Sequence, residues 1–505
     1  MSIPAEIKQN RERNPQKVAV GFGEQSWTYA EFDDLTDAIA ANFQAAGLEP
    51  GDRIAFHLPN GPELALACIG CLKAGCIAVP VNTRLKGPEI DYILRHSGSV
   101  CYVSQPGLYR EAEASCPVIG TLDLRYFTGD ASPEEFGSFD SLLRPPSSHV
   151  SLPHIAPDHV AAILYTSGTT ARPKGVTHTH RTLIGTARAM REMRLDQDQI
   201  AVVMSSMAHL IGFGMMFLSG LLNGATVVIT RPFEFEPVLR SFARWGSTYA
   251  AGLPVMLQGL LEAQIATPHD VSAGRFYFAG GDSVSPALQH ASEPVLGAIC
   301  EVYGATEIAP ASWNRPGQVR VGSIGLPGDG VTFRLVDAAG REVEPGQVGE
   351  IYVRGPHLSV GYWQDPDATS AAFEDGWFHT GDLARCDAEG YYWFAGRKKE
   401  IIIRGGSNVS PQEVEVVLCD HPAVAEAAVV GRPDPVWGEA VAAHVVLRPH
   451  CAVTEAALIA FARERLADYK LPESVVFRSE LPKGPTGKVQ RRALRTTQQP
   501  LALGA

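Results

Sequence analysis

Residues 165–176 read Tyr-Thr-Ser-Gly-Thr-Thr-Ala-Arg-Pro-Lys-Gly-Val, a hydroxyl- and glycine-rich loop directly behind the apolar run Ala161–Tyr165. Small residues let backbone N–H groups approach a phosphate, hydroxyls donate to its oxygens and a lysine supplies charge, so such a loop suits a polyphosphate. It is not a Walker loop. Counted from Gly168, Lys174 falls at the expected spacing, but Pro173 stands for the second glycine and Gly175 for the metal-binding Ser or Thr. Read alone, the same residues would also make a solvated surface loop with no ligand. Its place at the end of a strand constrains the fold, because ligands of parallel sheets bind beyond the carboxyl ends of the strands.

The first 230 residues alternate helix-like and strand-like stretches. Leu35, Ile39 and Phe43 recur four apart behind Tyr29-Ala30-Glu31, which reads as a turn. Asp52–Leu58 and Ile77–Val81 predict strands with a helix over Pro62–Lys73 between them, and Ala201–Ser205 is a further strand feeding a loop. Such alternation predicts an α/β region built on mostly parallel sheets with helices on their faces. From about Gly322 the pattern turns to short strands, Thr332–Val336, Gly349–Arg354 and Tyr391–Gly396, which predict a β-rich lobe. Beyond Lys399 come strand Glu400–Arg404, helix Pro411–Cys419, strands Ala425–Gly431 and Glu439–Leu447, helix Glu455–Leu466 and strand Ser474–Phe477. The expected division is a large multi-lobed N-terminal domain, residues 1–398, and a small α+β C-terminal domain, residues 399–505.

Composition excludes several function classes. The 55 acidic residues outnumber the 43 basic ones, giving a net charge of -12, which disfavours a nucleic-acid or anionic-membrane partner. No basic segment followed by an apolar one opens the chain, and its longest apolar stretch, Leu210–Leu222, is too short to span a bilayer, so a cytoplasmic address is expected. The nine cysteines are an odd number and lie mostly in apolar segments, which fits reduced, buried thiols. Cys68 and Cys71 sit inside the predicted helix with no second Cys or His pair at ligand spacing, and read as core rather than as half of a metal site. The 49 glycines and 36 prolines punctuate periodic segments and gather in loops, as expected where backbone grips a ligand.

Further segments stand in order along the chain: Met207-Ala208-His209-Leu210-Ile211-Gly212, Gly280-Gly281-Asp282, Tyr303-Gly304-Ala305-Thr306-Glu307, Gly349-Glu350, Gly361-Tyr362 and Trp377-Phe378-His379-Thr380-Gly381-Asp382. Gly396-Arg397-Lys398-Lys399-Glu400 and Pro482-Lys483-Gly484-Pro485-Thr486-Gly487-Lys488 follow. With the loop at 165–176, these resemble the signatures of the adenylate-forming superfamily, which holds acyl-CoA synthetases, peptide-synthetase adenylation domains and firefly-type luciferases. The resemblance covers essentially the whole chain.

It implies an enzyme that joins a carboxylic acid to AMP and then passes the acyl group to a thiol, using ATP, Mg2+ and coenzyme A. By resemblance, Thr166, Ser167, Gly168, Thr169, Thr170, Lys174, Gly281, Asp282, Tyr303, Gly304, Asp382 and Arg397 bind ATP. Tyr303 offers a flat ring to adenine, while Asp382 and Arg397 meet the ribose. Thr306 donates to the α-phosphate, and Glu307 with Thr169 holds magnesium. Lys488 is the lysine that bridges carboxylate and phosphate oxygens, where an ammionium aimed at developing charge lowers the barrier. Lys399 is the hinge about which a mobile small domain turns between the two half-reactions. Gly405 and Gly406 line a pantetheine tunnel, with Trp437 and Tyr469 as looser contacts to coenzyme A. His209 gates or orients the carboxylate, although a lone histidine beside apolar residues also reads as core. Phe213, Met215, Met216, Gly252, Gly280 and Ala305 line the acid pocket, with ordinary core packing as the other reading of Phe213, Met215 and Met216.

Two positions depart from the family pattern. Ala171 replaces a usual glycine, and Asp282 replaces a small apolar residue near adenine, where it would contact the adenine amino group or narrow the pocket. No cation marks a second substrate carboxylate and no acid marks a substrate ammonium, so the expected substrate is an apolar monocarboxylic acid, fatty or aryl. A separate acyl carrier protein is the alternative acceptor. A non-catalytic nucleotide-binding protein and a phosphotransferase releasing ADP are the readings from other classes, and the expected state is a monomer or homodimer.

Overall fold

The protein is described here from a computed structural model that covers residues 1–129, 136–147, 150–166, 172–282, 284–404, 407–434, 437–484 and 487–496. Two large sheets carry the first 330 residues. A seven-stranded sheet runs in the order Gly137–Ser138, Leu124–Phe127, Cys101–Ser104, Arg53–His57, Ile77–Pro80, Val160–Thr166, Lys174–Thr179, and it is parallel except at its last pair. In a nine-stranded sheet, Ala298–Ala305, Phe276–Gly280, Tyr249–Gly252, Ile200–Val203, Thr226–Ile229 and Val18–Phe22 lie parallel, with antiparallel strands at both edges. The predicted α/β class therefore holds, with two sheets sharing the work.

Local chemistry sets the element boundaries. Helix Tyr29–Ala45 begins where Thr28 Oγ1 accepts the Glu31 N–H and the Glu31 carboxylate accepts the Thr28 N–H. Tyr29-Ala30-Glu31 is thus the first turn of a helix rather than the turn its composition predicts; the capping box outweighs the local turn signal. Ile39 and Phe43 from this helix are fully buried, and helix Pro62–Lys73 crosses it at Gly70, where a Cβ would lie 2.4 Å from Ile39 Cγ2. Cys68 and Cys71 pack inside that second helix as buried thiols, and burial pushes both thiols up from the usual range.

The β-rich lobe is a five-stranded antiparallel sheet. Trp377–Cys386 pairs with Val348–Arg354, Phe373–Glu374 and Tyr392–Arg397, and Thr332–Val336 lies beyond Val348–Arg354. A turn at 397–400 leads to the C-terminal sheet, in which Gly438–Leu447 pairs with Ile402–Arg404, Val424–Asp434 and Ser474–Arg478. This sheet closes its own core of Val414, Leu418, Val429, Val441 and Leu458. Among the described residues no helix is long and apolar enough to cross a membrane.

Candidate active site

The phosphate end is framed by a hairpin. Thr166 pairs antiparallel with Lys174, so the loop between them joins two strands and does not open a helix. The strand Lys174–Thr179 was not foreseen, because five of its six residues are buried and no alternation shows. Ser167, Gly168, Thr169, Thr170 and the departure Ala171 lie outside the described residues. Lys174 Nζ sits 4.5 Å from the Tyr362 ring centroid, and the Tyr362 hydroxyl donates to Glu307 Oε1 at 2.7 Å. The Gly361-Tyr362 segment is stitched to the hairpin by Thr177 N–H to Gly361 O and Trp363 N–H to Gly175 O. One lysine, one tyrosine and one carboxylate thereby converge beside the loop.

Glu307 is buried, and desolvation raises its pKa, opposed by the Tyr362 hydroxyl and Lys174. Thr306 is fixed from behind, since its carbonyl takes a hydrogen bond from His178 Nε2 at 2.9 Å. That bond sets the tautomer of His178, leaving Nδ1 to accept from Thr182 Oγ1, and burial lowers its pKa to about 4. No sequence pattern singles out His178, a lone histidine in a buried strand. Gly304 is packed so closely that a Cβ would lie 2.7 Å from Ala309 Cβ, and Ala305 packs partly buried on the β-rich lobe.

At the expected ribose end, Asp382 faces Arg397 across the strand pair. Its Oδ1 lies 3.1 Å from Arg397 Nε, and its Oδ2 accepts the Tyr303 hydroxyl at 2.9 Å. Burial raises the Asp382 pKa, and Arg397 and Tyr303 oppose the rise. The turn is held by Glu350, whose carboxylate accepts the Gly381 N–H at 3.2 Å and pairs with Lys398 at 2.7 Å, which gives the Gly349-Glu350 motif a positioning task. The Tyr303 ring is packed against Phe333 and Phe394, with centroids 6.0 and 6.3 Å away.

His209 lies behind strand Ile200–Val203, in the loop that leads into the π-helical turn Ile211–Leu218. Its Nε2 accepts from Asn82 Nδ2 at 3.0 Å; Asn82 Oδ1 is occupied by the Arg84 N–H, which fixes the amide orientation. Burial, and secondarily Lys488, lowers the His209 pKa to about 4, so the ring is neutral near pH 7. Asn60 clamps the same loop, donating to Ser205 O and Thr230 O and accepting from Met207 N–H. Asn60 and Asn82 carry no local sequence signal. Phe213, Met215 and Met216 are buried in the principal hydrophobic cluster, the core reading that their spacing left open.

Gly280 needs glycine for space, since a Cβ there would stand 2.3 Å from Val302 O; at Gly252 the nearest atom, 2.7 Å away, is the flexible end of Met204, Cε. Gly281, at φ +83, carries the chain past Leu253, Ile211 and Lys488: a Cβ there would lie 2.9, 3.7 and 3.9 Å from their side chains. Lys488 thus reaches the glycine loop beside two apolar side chains. Its side chain is exposed, yet desolvation by the surrounding protein lowers its pKa, reinforced by Arg397 and opposed by Asp282, Asp382 and Glu400. Its own loop turns through Gly487, at φ +84, and closes by Gly484 N–H to Lys488 O.

Lys399 occupies the turn in which Glu400 N–H and Ile401 N–H bond to Arg397 O. Gly405 and Gly406 lie outside the described residues. Trp437 and Tyr469 are large exposed aromatics at 50% and 43% accessibility, and Arg404 links them: its guanidinium is 5.9 Å from the Trp437 ring centroid and donates to Tyr469 O. Tyr303, Asp382, Arg397, Gly281 and Lys488 are thus brought together, Lys174 and Glu307 meet through Tyr362, and Phe213, Met215 and Met216 pack in the hydrophobic core.

Residues 7–363 match the family described as AMP-binding enzyme, and residues 413–488 match the AMP-binding enzyme C-terminal domain. The chain is 36% identical to a feruloyl-CoA synthase of Amycolatopsis sp over 95% of its own length and 96% of that protein. It is 35% identical to the fatty acid–[acyl-carrier-protein] ligase ScoC of Streptomyces coeruleorubidus, over 96% of this chain and 94% of the other. Among solved structures, the anthranilate CoA ligase AuaEII in complex with anthranoyl-AMP superposes with a TM-score of 0.91 at 28% identity, covering 98% of this chain and 96% of that one.

Proposed function

The chain belongs to the AMP-binding enzyme family, and from that premise we propose that it converts an apolar monocarboxylic acid, fatty or aryl, to its acyl-CoA thioester. In the first half-reaction a carboxylate oxygen attacks the α-phosphorus of ATP and pyrophosphate leaves with the bond electrons. In the second, the sulfur of coenzyme A attacks the acyl carbon, the thiol proton is lost, and AMP departs. The observation that supports the reading is that Lys488 reaches the Gly281 loop and feels the charges of Arg397 and Asp382, while the segment 303–307 joins the Asp382–Arg397–Tyr303 group to the Lys174–Tyr362–Glu307 group.

Each residue has a task that follows from its surroundings. Asp382, an acceptor with Tyr303 and Arg397 already donating to it, takes the ribose hydroxyls. Lys174 meets the outer phosphates, and Thr306, anchored by His178, turns toward the α-phosphate. The buried carboxylate of Glu307, with only Oε1 engaged by Tyr362, fits a hard cation that prefers oxygen donors. Glu307, with Thr169, would hold Mg2+, which would offset triphosphate charge. Lys488 draws the substrate carboxylate to the phosphorus and stabilises the charge that builds there; Ile211 and Leu253, beside it, favour an apolar acyl group. Neutral His209, positioned by Asn82, orients the acid without adding a competing cation.

We place the domain boundary at 398/399, with Lys399 as the hinge. The family matches stop at 363 and resume at 413 on either side of the 397–400 turn. Arg404, Trp437 and Tyr469 flank the route for coenzyme A. A carrier protein is the alternative acceptor, favoured by the likeness to ScoC. The protein acts as a monomer or homodimer in the cytoplasm, a reducing address that suits its six buried free thiols. An acid panel with ATP, read by pyrophosphate release and by AMP, tests the first half. Offering coenzyme A or a phosphopantetheinylated carrier tests the second. ADP as product, or no thioester with coenzyme A across the panel, overturns the corresponding step.

A further inference from the structure

The Gly361-Tyr362 segment stands among the signatures of the family, yet the two half-reactions described above leave Tyr362 without a task. Its main chain is fixed independently of its side chain. Segment 360–363 lies antiparallel to Gly175–Thr177 through Thr177 N–H to Gly361 O at 2.9 Å, Val360 N–H to Thr177 O at 3.0 Å and Trp363 N–H to Gly175 O at 2.7 Å. Gly361 turns through φ +117, and the Tyr362 N–H donates to Thr369 Oγ1 at 3.0 Å. The Tyr362 ring meets Phe373 edge to face, with 5.7 Å between centroids.

The ring so held touches both candidates at the phosphate end. Its hydroxyl donates to Glu307 Oε1 at 2.7 Å, and the Ser359 N–H donates to Glu307 O at 2.8 Å, so one segment grips that residue by main chain and by carboxylate. The Lys174 ammonium rests 4.5 Å from the ring centroid, and among the described residues it has no ion pair that would hold it elsewhere.

We propose that Tyr362 is a positioning residue for ATP binding with two separable contacts: its hydroxyl sets the Glu307 carboxylate that would hold Mg2+, and its ring seats Lys174 for the outer phosphates. The inference rests on the roles proposed above for Glu307 and Lys174. A carboxylate held in one orientation before its cation arrives loses less freedom on binding, and such preorganisation raises affinity. A cation on an aromatic face lacks the directional bonds of a carboxylate pair, so the lysine passes to a phosphate without first breaking a salt bridge. Phenylalanine at this position keeps the ring and loses the hydroxyl; leucine loses both.

The test is calorimetric binding without any acid substrate, so that no turnover occurs. Wild type, Tyr362→Phe and Tyr362→Leu are compared with AMP, with ATP in EDTA and with ATP at saturating Mg2+. AMP lacks the outer phosphates and should bind all three proteins alike, within about twofold. In Tyr362→Phe, ATP in EDTA should bind as in wild type, while the gain in affinity conferred by Mg2+ should shrink about three- to tenfold, the range set by the cost of ordering one side chain. In Tyr362→Leu that loss should remain, and ATP in EDTA should also weaken by about two- to fivefold, the share of a partly exposed cation–π contact. An undiminished Mg2+ gain in Tyr362→Phe overturns the role of the hydroxyl, and wild-type binding of ATP in EDTA by Tyr362→Leu overturns that of the ring. Parallel losses for AMP and ATP overturn both, because they reduce Tyr362 to support of the fold. A wild-type protein that binds no nucleotide, or gains nothing from Mg2+, sinks instead the reading on which the proposal rests.

Discussion

Tyr303→Phe removes a single hydroxyl and keeps the ring that packs on Phe333 and Phe394. The hydroxyl donates to Asp382 Oδ2 at 2.9 Å, and Asp382 is a buried carboxylate whose pKa already lies above the usual range because of desolvation. A hydrogen bond to a charged group is worth about 1.5–3 kcal/mol. At about 1.36 kcal/mol per pKa unit, losing it lifts Asp382 by a further ~1–2 units. On the proposed role, ribose hydroxyls donate into the ionised carboxylate, so nucleotide affinity is flat above the Asp382 pKa and falls about tenfold per pH unit below it.

The variant should therefore move the acid limb of AMP or ATP binding up by ~1–2 pH units, with the two proteins differing by no more than about threefold on the alkaline plateau. The stability sign is opposite to that of an ordinary salt-bridged aspartate. A carboxyl whose folded pKa is raised favours the folded state at pH values below its unfolded pKa, and loses that contribution as pH rises through the folded value. Tyr303→Phe deepens the loss, so the apo variant should be less stable than wild type at neutral pH by up to about 3 kcal/mol, with the difference narrowing in acid. Calorimetric titration of AMP between pH 5 and pH 8 and denaturant unfolding at both ends measure these shifts. An acid limb that stays in place in a folded variant refutes the assignment of Asp382 as the ribose acceptor.

Lys488→Ala should cut acyl-adenylate formation by about 10²–10³ while thiolation of a supplied adenylate survives, and equal loss of both half-reactions refutes its role. Lys399→Pro should do the reverse, leaving adenylation near wild type and lowering overall turnover by on the order of tenfold or more; unimpaired turnover counts against the hinge. Gly70→Val would push a branched side chain into Ile39, whose Cγ2 already lies 2.4 Å from a Cβ at that position, so urea unfolding should show a loss of at least about 1–3 kcal/mol. An unchanged midpoint would mean that the two helices separate without cost.

What could be read from the sequence divides along a physical line. Lys174, Glu307, Asp382, Arg397 and Lys488 could be proposed from the sequence because chemistry on a triphosphate restricts which side chains can serve, and short turn-rich motifs mark where they stand. His178, Asn60 and Asn82 could not, although each holds one of the chemical groups in place. Their partners are 128, 145 and 127 residues away, and only the strand order brings such ends together. The same limit hid the strand Lys174–Thr179, buried on both faces, and left Phe213, Met215 and Met216 divided between pocket and core.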